Sequence, residues 1–573
     1  MSAVTRNAAT VLLAARDLSG CAHRLALDNS PAASGERPVA DDSAEVVRRK
    51  EAAALHRSQV REVLRSIHSD ESSAAFVVVN GGTREVRVSQ TLAAAQRGAR
   101  WIWNAALPDD PLDRRRGHCE LLVHDGVGYI PVIVVNHRVT RPVPTGARKP
   151  VADGSGETPR TILTSPLWSW LPMPDATRTL RPNRRDQQRV QHLTELLVAA
   201  GLSGERGARQ WHAGVIGMDA DCIAVLDVGS LRPQFARLTY ERLAVVDQLA
   251  STQPSRISEC RDCRWWPRCE ADLKARDDVS LVVNGMVAES LRASGITTVA
   301  GLAQLSVDDE PAQWGNGSFP DAIAAARCYQ TGDRLVRRSV ATPIARADVE
   351  VDVDMESYGE DGAYLWGTLL TDRTDTSRPV VYRPFVTWRP LPTTAEARSF
   401  AAFWEWLHEE MADARAHGKT FAAYCYSEQA ENRWLRGSAH RFAGMPGIPA
   451  SHEVEDFIAS PHWVDVFAAV SSNFFCPNGK GLKRVAPIAG FQWRDEEAGG
   501  AASMDWYATA VGLGGAAPDD AQRVRLLQYN EDDVRATKVL REWMDGDAVG
   551  QLPTMRDVLR RPAAEHIPGE GGD

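Results

Sequence analysis

The feature that most constrains the fold is an eight-residue segment, residues 349–356, in which apolar and acidic side chains alternate. This alternation is typical of a β-strand with one apolar and one acidic face, because successive side chains of a strand point to opposite sides. Asp354 and Glu356 therefore lie side by side, where their charges repel unless a cation sits between them. Asp352 is a spare acid on the same face, which could substitute or remain solvated. We predict a strand that packs against a core on one face and carries a cation site on the other.

Two later segments carry acids that this site could recruit. Residues 422–435 begin as a strand and continue as a helix, which carries Glu431, with Glu428 as the second choice. Near the end of the chain, helical spacing places Tyr529 and Asp533 four residues apart on one helix face.

These three motifs, in this order, resemble those of the DEDD exonucleases, which have a ribonuclease H-like fold. The tyrosine places the chain nearest the DEDDy branch. The intervening residues 463–467 and 481–486 are similar to the strand-like segment and the helix opened by Leu-Lys that this fold has there. The departure lies in the second motif, where the exonucleases usually have Asp and this chain has Glu431, a side chain longer by one methylene.

The resemblance implies two-metal hydrolysis of phosphodiesters from the 3′ end. We expect DNA rather than RNA as the substrate, although the sequence does not decide between them. Two Mg²⁺ or Mn²⁺ ions would be held by four catalytic acids, Asp354, Glu356, Glu431 and Asp533. Tyr529 would orient the attacking water. The rival function is a non-catalytic nucleic-acid-binding or assembly protein in which both nuclease cores are relics.

Three of the nine cysteines cluster, namely Cys260, Cys263 and Cys269. A two-residue gap lets a tight turn aim two sulfurs at one metal centre. Residues 19–28, around Cys21, resemble the element that supplies the first cluster ligand in RecB-like nucleases with one [4Fe–4S] cluster. The resemblance implies that this early cysteine and the three late ones hold such a cluster and close the nuclease domain. A zinc site formed by the three late cysteines and a histidine, or three unligated thiols, are the alternatives.

The same family implies a PD-(D/E)XK nuclease core between these cysteines, in which carboxylates hold a divalent metal and a lysine orients the water. The expected groups are replaced here by Arg57 for the helical acid, Cys119 and Glu120 for the aspartate, and Val134 and Asn136 for the Glu and Lys. We therefore predict a degenerate core with a binding or structural role. The alternative is a rearranged nuclease site in which Glu120 binds metal without a lysine.

The chain of 573 residues is predicted to be a multidomain α/β protein. Its expected parts are a RecB-like, restriction-endonuclease-like domain with the iron–sulfur staple (1–276), a helical linker (277–340), a ribonuclease H-like exonuclease domain (341–562) and a disordered tail (563–573). The linker resembles a worn helix-hairpin-helix module, in which Gly295 ends one helix before Thr297 or Thr298 caps the next. A plain helical linker is the alternative.

Charge and hydropathy limit the partners. A net charge of −9 argues against a histone-like basic coat, although residues 178–185 could contact phosphates or form a solvated surface. No apolar run approaches the ~20 residues that span a bilayer. Arg16 and Asp17 interrupt the apolar stretch before a lipoprotein-like Cys21. We expect a soluble, cytoplasmic protein that binds nucleic acid and no membrane, whereas the sequence does not specify protein partners.

Overall fold

The computed structural model describes residues 10–30, 42, 44–68, 75–143, 162–205, 211–312, 314–315, 317–375, 377–497, 499–515 and 517–561. The chain divides into two compact units, Met1–Asp272 and Leu273–Asp573. The whole tail predicted over residues 563–573 lies outside the described residues. Both units combine helices with β-sheets, so the protein is mixed α/β, as predicted.

The helices up to residue 275 are α1 (Ala15–Ser19), α2 (Ala22–Asn29), α3 (Ala44–Ile67), α4 (Arg84–Gln96), α5 (Arg184–Ala199), α6 (Arg232–Val246) and α7 (Trp266–Ala275). The strands of the first unit are β1 (Phe76–Val78), β2 (Trp101–Ala106), β3 (His118–His124), β4 (Tyr129–Val134), β5 (Thr140–Pro142), β6 (Ile162–Ser165), β7 (Met173–Asp175), β8 (Arg178–Leu180), β9 (His212–Ile216) and β10 (Ile223–Asp227).

Eight of these strands form one mixed sheet in the order β1-β2-β3-β4-β9-β10-β6-β7. The pairs β1–β2 and β4–β9 are parallel, and the other neighbours are antiparallel. Alternate residues of β3 face opposite sides of the sheet. Leu122 joins a buried cluster with Leu193 of α5, whereas Leu121 joins another with Leu64 of α3. Helices thus cover both faces, which explains why the central strands are apolar nearly throughout.

The helices of the second unit are α8 (Gly285–Ala293), α9 (Val299–Gln304), α10 (Phe319–Thr331), α11 (Glu396–Ala416), α12 (Glu428–Arg441), α13 (Ser451–Ile458), α14 (Val466–Asn473), α15 (Leu482–Val485), α16 (Gly500–Ala510), α17 (Asp520–Asp545) and α18 (Met555–Arg560). Its strands are β11 (Val336–Arg337), β12 (Val349–Tyr358), β13 (Gly362–Asp372), β14 (Val381–Val386), β15 (Phe421–Cys425), β16 (Trp463–Asp465) and β17 (Phe474–Phe475).

The main sheet of the second unit has the order β14-β13-β12-β15-β16. The first three strands form an antiparallel meander, and β15 and β16 continue parallel to β12. The apolar residues of β12, such as Val351 and Val353, pack into a core with Trp366 and with Phe403 of α11. The two rings of this core stack at a centroid distance of 4.8 Å. The acidic residues of β12 point to the opposite face, so the strand predicted over residues 349–356 has the alternation that the sequence indicates.

The helical segment before this sheet has the break at Gly295 and the cap at Thr298 that the sequence indicates. Helix α8 is followed by Gly295 at φ +83°, a conformation that glycine adopts without strain. Helix α9 then starts with Thr298 as N-cap, whose Oγ1 accepts a hydrogen bond from the Gly301 amide across 2.9 Å. The contacts within the chain group this segment with the following domain as one compact unit.

Among the described residues, no helix combines the length and the apolar character that crossing a membrane requires.

Candidate active site

The acidic face of β12 packs against α17, and the two ends of this contact differ in chemistry. At the inner end, Glu350 and Asp352 are fully buried beside Arg541 of α17. Arg541 donates from Nη2 to Oδ2 of Asp352 across 2.8 Å and from Nη1 to Glu350, which also accepts from Nε of Arg346 across 2.8 Å. These two acids are therefore neutralised by arginines. The prediction that Asp352 could replace a catalytic acid, or be solvated, is wrong. Its carboxylate is buried in the core and forms an ion pair with Arg541.

At the outer end, three carboxylates meet. One carboxylate oxygen each from Asp354, Glu356 and Asp533 lies within 4.8 Å of the other two. Asp354 and Glu356 are two apart on β12 and so share its acidic face, whereas Asp533 comes from α17. Glu356 and Asp533 are buried, and Asp354 is half-buried. It is the only set of three such Asp, Glu, His or Cys groups within the described part of the chain.

The cluster is electrostatically unfavourable without a cation. Burial, together with the charges of Asp533 and Glu356, raises the pKa of Asp354 well above its usual range. Burial and the Asp533 charge raise the pKa of Glu356 to about 8. Burial also raises the pKa of Asp533, although the Lys483 ammonium opposes this shift. A divalent ion would offset both the desolvation and the repulsion.

Each acid of the cluster is oriented by a polar neighbour. Oδ2 of Asp354 accepts from Nδ2 of Asn530 across 2.7 Å, and Oδ1 of Asp533 accepts from Nε1 of Trp493 across 2.6 Å. Ser503 Oγ donates to Oε2 of Glu356 across 3.2 Å. Asn530 can reach Asp354 only because β13 has Gly367 beneath it, where an added Cβ would lie 1.6 Å from the Asn530 amide oxygen. These contacts fix the carboxylates before any ligand arrives.

Tyr529 lies one helical turn before Asp533 and is buried. Its hydroxyl donates to the Asp533 carboxylate and accepts from Nζ of Lys483 across 2.8 Å. The same ammonium lies 4.2 Å from the centroid of the Tyr529 ring. Burial and the surrounding carboxylates raise the pKa of Tyr529 well above its ordinary value, so the phenol stays protonated. Lys483 is the second residue of the short helix α15. The sequence indicated only that this helix matches the fold, and it did not predict that Lys483 contacts Tyr529.

Glu431 and Glu428 differ in their surroundings, although both lie in the first turn of α12. Glu428 is exposed and accepts from the amide of Asn432 across 3.2 Å. Glu431 is 3% exposed, and its Oε2 has no hydrogen-bond partner among the described residues. Burial raises the pKa of Glu431 to about 8, with the Asp465 and Glu356 charges adding to the effect. Glu431 thus lies beside the three-carboxylate cluster without joining it at 4.8 Å.

The nuclease core predicted for the first unit has no cluster of carboxylates like that of β12 and α17 among its described residues. Glu120 of β3 lies in a cavity of about 500 Å³, which we call the N-terminal cavity, lined also by Arg57, Arg61, His118 and Arg189. Nη2 of Arg189 donates to both oxygens of Glu120, across 2.6 and 2.8 Å. The remaining predicted positions, Cys119 and Val134 in buried clusters and Asn136 just after β4, offer no acid or lysine.

The four cysteines assigned to a cluster lie together in the first unit. Cys21, Cys260, Cys263 and Cys269 line one cavity of about 510 Å³. Burial raises the pKa of Cys269 to about 11, and the charges of the other three sulfurs contribute to this shift. No three of these sulfurs lie within 4.8 Å of one another.

Residues 353–545 match the family model of the RNase H superfamily. The matched region begins in β12 and ends with α17, and it includes the three clustered carboxylates, Glu431, Lys483 and Tyr529. The second unit thus contains an RNase H-like domain, which supports a nuclease fold with a nucleic acid as substrate. The match does not extend to the first unit. No curated protein and no solved structure gave a significant match to the chain.

Proposed function

We propose that the protein is a metal-dependent exonuclease that removes nucleotides from the 3′ end of a nucleic-acid strand, preferably DNA, at the site on β12 and α17. The observation that carries the proposal is the meeting of Asp354, Glu356 and Asp533 within 4.8 Å inside an RNase H-like domain. A surface cluster of acids would be solvated, whereas these carboxylates are largely withdrawn from water. None of them pairs with an arginine of the described structure, in contrast to Asp352.

The residues present fit divalent metal ions. Carboxylate oxygens are the ligands that Mg²⁺ and Mn²⁺ prefer. The unpartnered Oε2 of buried Glu431 is a further oxygen without a hydrogen bond in the described structure, and it supports this acid as the fourth ligand. Asp354, Glu356, Asp533 and Glu431 would hold the ions, which would activate water and neutralise charge on the phosphate.

Tyr529 and Lys483 would act on the water and the phosphate. A tyrosine with a raised pKa cannot remove a proton near neutral pH, so its hydroxyl serves to orient the water by hydrogen bonding. Lys483 donates to the phenol oxygen, which directs the phenol hydrogen toward Asp533 or a water nearby. Its ammonium also places a positive charge beside the site, where negative charge develops on the phosphate.

We also propose that the first unit holds a [4Fe–4S] cluster on Cys21, Cys260, Cys263 and Cys269 and has a binding or structural role. The proposal is supported by the cavity that the four cysteines share and by the charges of the other three sulfurs, which act on the pKa of Cys269. Trp265 secures this region, since its indole donates to Asp28 across 3.0 Å. A catalytic role for Glu120 is not supported by its contacts, because Arg189 holds both of its oxygens.

The direct test is an assay on 5′-labelled single- and double-stranded DNA and RNA, with Mg²⁺ or Mn²⁺ and with EDTA as the control. We expect a ladder that shortens from the 3′ end and requires metal. A phosphorothioate at the 3′ end should block it. Metal-independent cleavage, or no cleavage of any of the four substrates, would contradict the proposal and favour the non-catalytic alternative.

A further inference from the structure

The N-terminal cavity has an excess of positive charge. Arg57 and Arg61 reach it from α3, Arg189 from α5, and its only lining acid is Glu120. Because Arg189 holds both oxygens of Glu120, the charge of that acid is already neutralised. Two arginines therefore remain without a lining acid to balance them.

These two arginines are weakly engaged. Arg57 makes no ion pair with any residue in the described part of the chain, and it is half-buried. Among the described residues, Arg61 pairs only with Glu62, the next residue, and the side chains of that pair are 39% and 55% exposed. An exposed ion pair of this kind contributes about 0–1 kcal/mol and is easily exchanged for another anion. Both guanidinium groups are thus available to a ligand.

Arg189 also has donors to spare. Both of its hydrogen bonds to Glu120 come from Nη2, and its Nε and Nη1 make no hydrogen bond to the residues that the structure describes. Glu120 fixes the guanidinium in place, so the remaining N–H groups are held in one orientation. An anion in the cavity could accept from them without breaking the ion pair.

The arrangement matches the chemistry of a phosphate group. Arginine presents a planar fork of donors that suits phosphate oxygens. Arg57 and Arg61 are four residues apart, hence neighbours on one face of α3, and Arg189 comes from another helix. Ser58 and His118 at the cavity are exposed, which opens it to solvent and to a long ligand. A metal ion is a poor fit, because its one carboxylate is already paired.

We propose that the N-terminal cavity binds a phosphodiester group of a nucleic-acid strand through Arg57, Arg61 and Arg189. The identity of the polymer rests on the proposed nuclease function, whereas the binding of a phosphate anion does not. The first unit would thereby hold substrate with residues other than those of the β12 and α17 site, and Arg57, which stands at the position of the expected helical acid, would have a use of its own.

The test uses the full-length protein in EDTA, so that no metal-dependent cleavage occurs, and a fluorescein-labelled oligo(dT) strand of about 20 nucleotides. Binding is followed by anisotropy over a series of salt concentrations. The variant R57Q/R61Q is compared with R65Q/R97Q, which removes two exposed arginines of the same unit that do not line the cavity. Arg189→Lys serves as a second variant, because it keeps the charge opposite Glu120 but loses the fork.

We expect R57Q/R61Q to bind the strand about tenfold more weakly at 0.1 M salt, with a salt slope smaller by about 1.4, the value for two phosphate contacts on a single strand. R65Q/R97Q should stay within about twofold of wild type, and Arg189→Lys should weaken binding by about threefold or more. The inference is overturned if R57Q/R61Q binds like R65Q/R97Q. It is also overturned if, at matched ionic strength, R57Q/R61Q weakens the binding of inorganic phosphate but leaves the binding of the strand unchanged.

The inference and the proposed function can fail separately. A protein that binds the strand through these arginines in EDTA, but cleaves nothing with metal, retains the inference and loses the exonuclease. If the protein cleaves with metal, but its variants R57Q/R61Q and R65Q/R97Q bind the strand equally well, the exonuclease is retained and the inference is lost.

Discussion

Lys483 Nζ lies 2.8 Å from the Tyr529 hydroxyl oxygen and 4.2 Å from the centroid of the same ring. The tyrosine in turn donates to Asp533, one helical turn further along α17. A charged donor and a clustered carboxylate therefore both hold the phenol. The position of the hydroxyl depends on both partners, which has consequences for activity.

Tyr529→Phe and Lys483→Gln should each lower kcat by about tenfold or more, with binding of the strand in EDTA nearly unchanged, since neither side chain holds metal. Because the two residues share one hydrogen bond, the double variant should lose less than the product of the two single losses. Single-turnover rates of the four proteins provide the comparison. Fully multiplicative losses would show that the two side chains act independently.

Glu431→Gln should reduce cleavage by about a hundredfold or more, because it removes a charge from a buried position beside the cluster. Glu428→Gln is the matched control, since it makes the same change three residues earlier on the same helix at an exposed position. We expect that variant to stay within about threefold of wild type. The opposite ranking would assign the second-motif acid to Glu428.

The sequence could predict those features of the site that depend on residues close together along the chain. The alternation along β12, the strand-to-helix change before Glu431 and the spacing of Tyr529 and Asp533 are local patterns, and the structure has all three. The ribonuclease H-like fold that the resemblance implies agrees with the superfamily match.

Contacts between distant segments were out of reach of the sequence. Nothing in the sequence around Asp352 indicates that Arg541, 189 residues later, donates hydrogen bonds to its carboxylate. The roles of Lys483, Trp493 and Asn530 likewise arise only when separate segments meet at β12. A single lysine opening a short helix carries no signal of its own. In the first unit, the sequence predicted neither the pairing of Glu120 with Arg189 nor the excess of arginines around it.

The metal-free protein should become less stable as pH rises. Glu356 and Glu431 each have a pKa of about 8 in the folded state against 4.5 as the ordinary value, so the folded protein binds more protons than the unfolded chain between these limits. The stability they contribute is fully present below about pH 4.5 and is lost as pH rises through about 8. In EDTA, we expect the melting temperature to fall by about 5 °C or more between pH 6 and 8.5.

Mg²⁺ or Mn²⁺ should recover much of this loss at pH 8.5, because the ions bind the ionised carboxylates. The variant E356Q/E431Q should show a flatter pH profile in EDTA, since amides do not ionise. A melting temperature that rises toward pH 8.5 in wild-type protein without metal would contradict the raised pKa values of these two acids.

Anaerobically purified protein should be brown, with broad absorbance near ~400 nm from thiolate-to-iron charge transfer. Cys21→Ala should lose this colour as completely as Cys263→Ala. Cys222→Ala, a half-buried cysteine of the same unit outside the shared cavity, should keep it. Stoichiometric zinc without iron would refute the cluster, and full iron in Cys21→Ala would refute only the fourth ligand.

The most direct measurement is metal-dependent cleavage of a 5′-labelled strand by Asp354→Asn, Asp533→Asn and Glu120→Gln, each shown to be folded. The first two changes remove metal-binding charge at the β12 and α17 site with almost no change of shape, and we expect cleavage to fall by about a thousandfold or more. Glu120→Gln, which alters the acid of the N-terminal cavity, should cleave within about threefold of wild type. Normal cleavage by Asp354→Asn and Asp533→Asn, or its loss in Glu120→Gln alone, would contradict the assignment of the chemistry to the second unit.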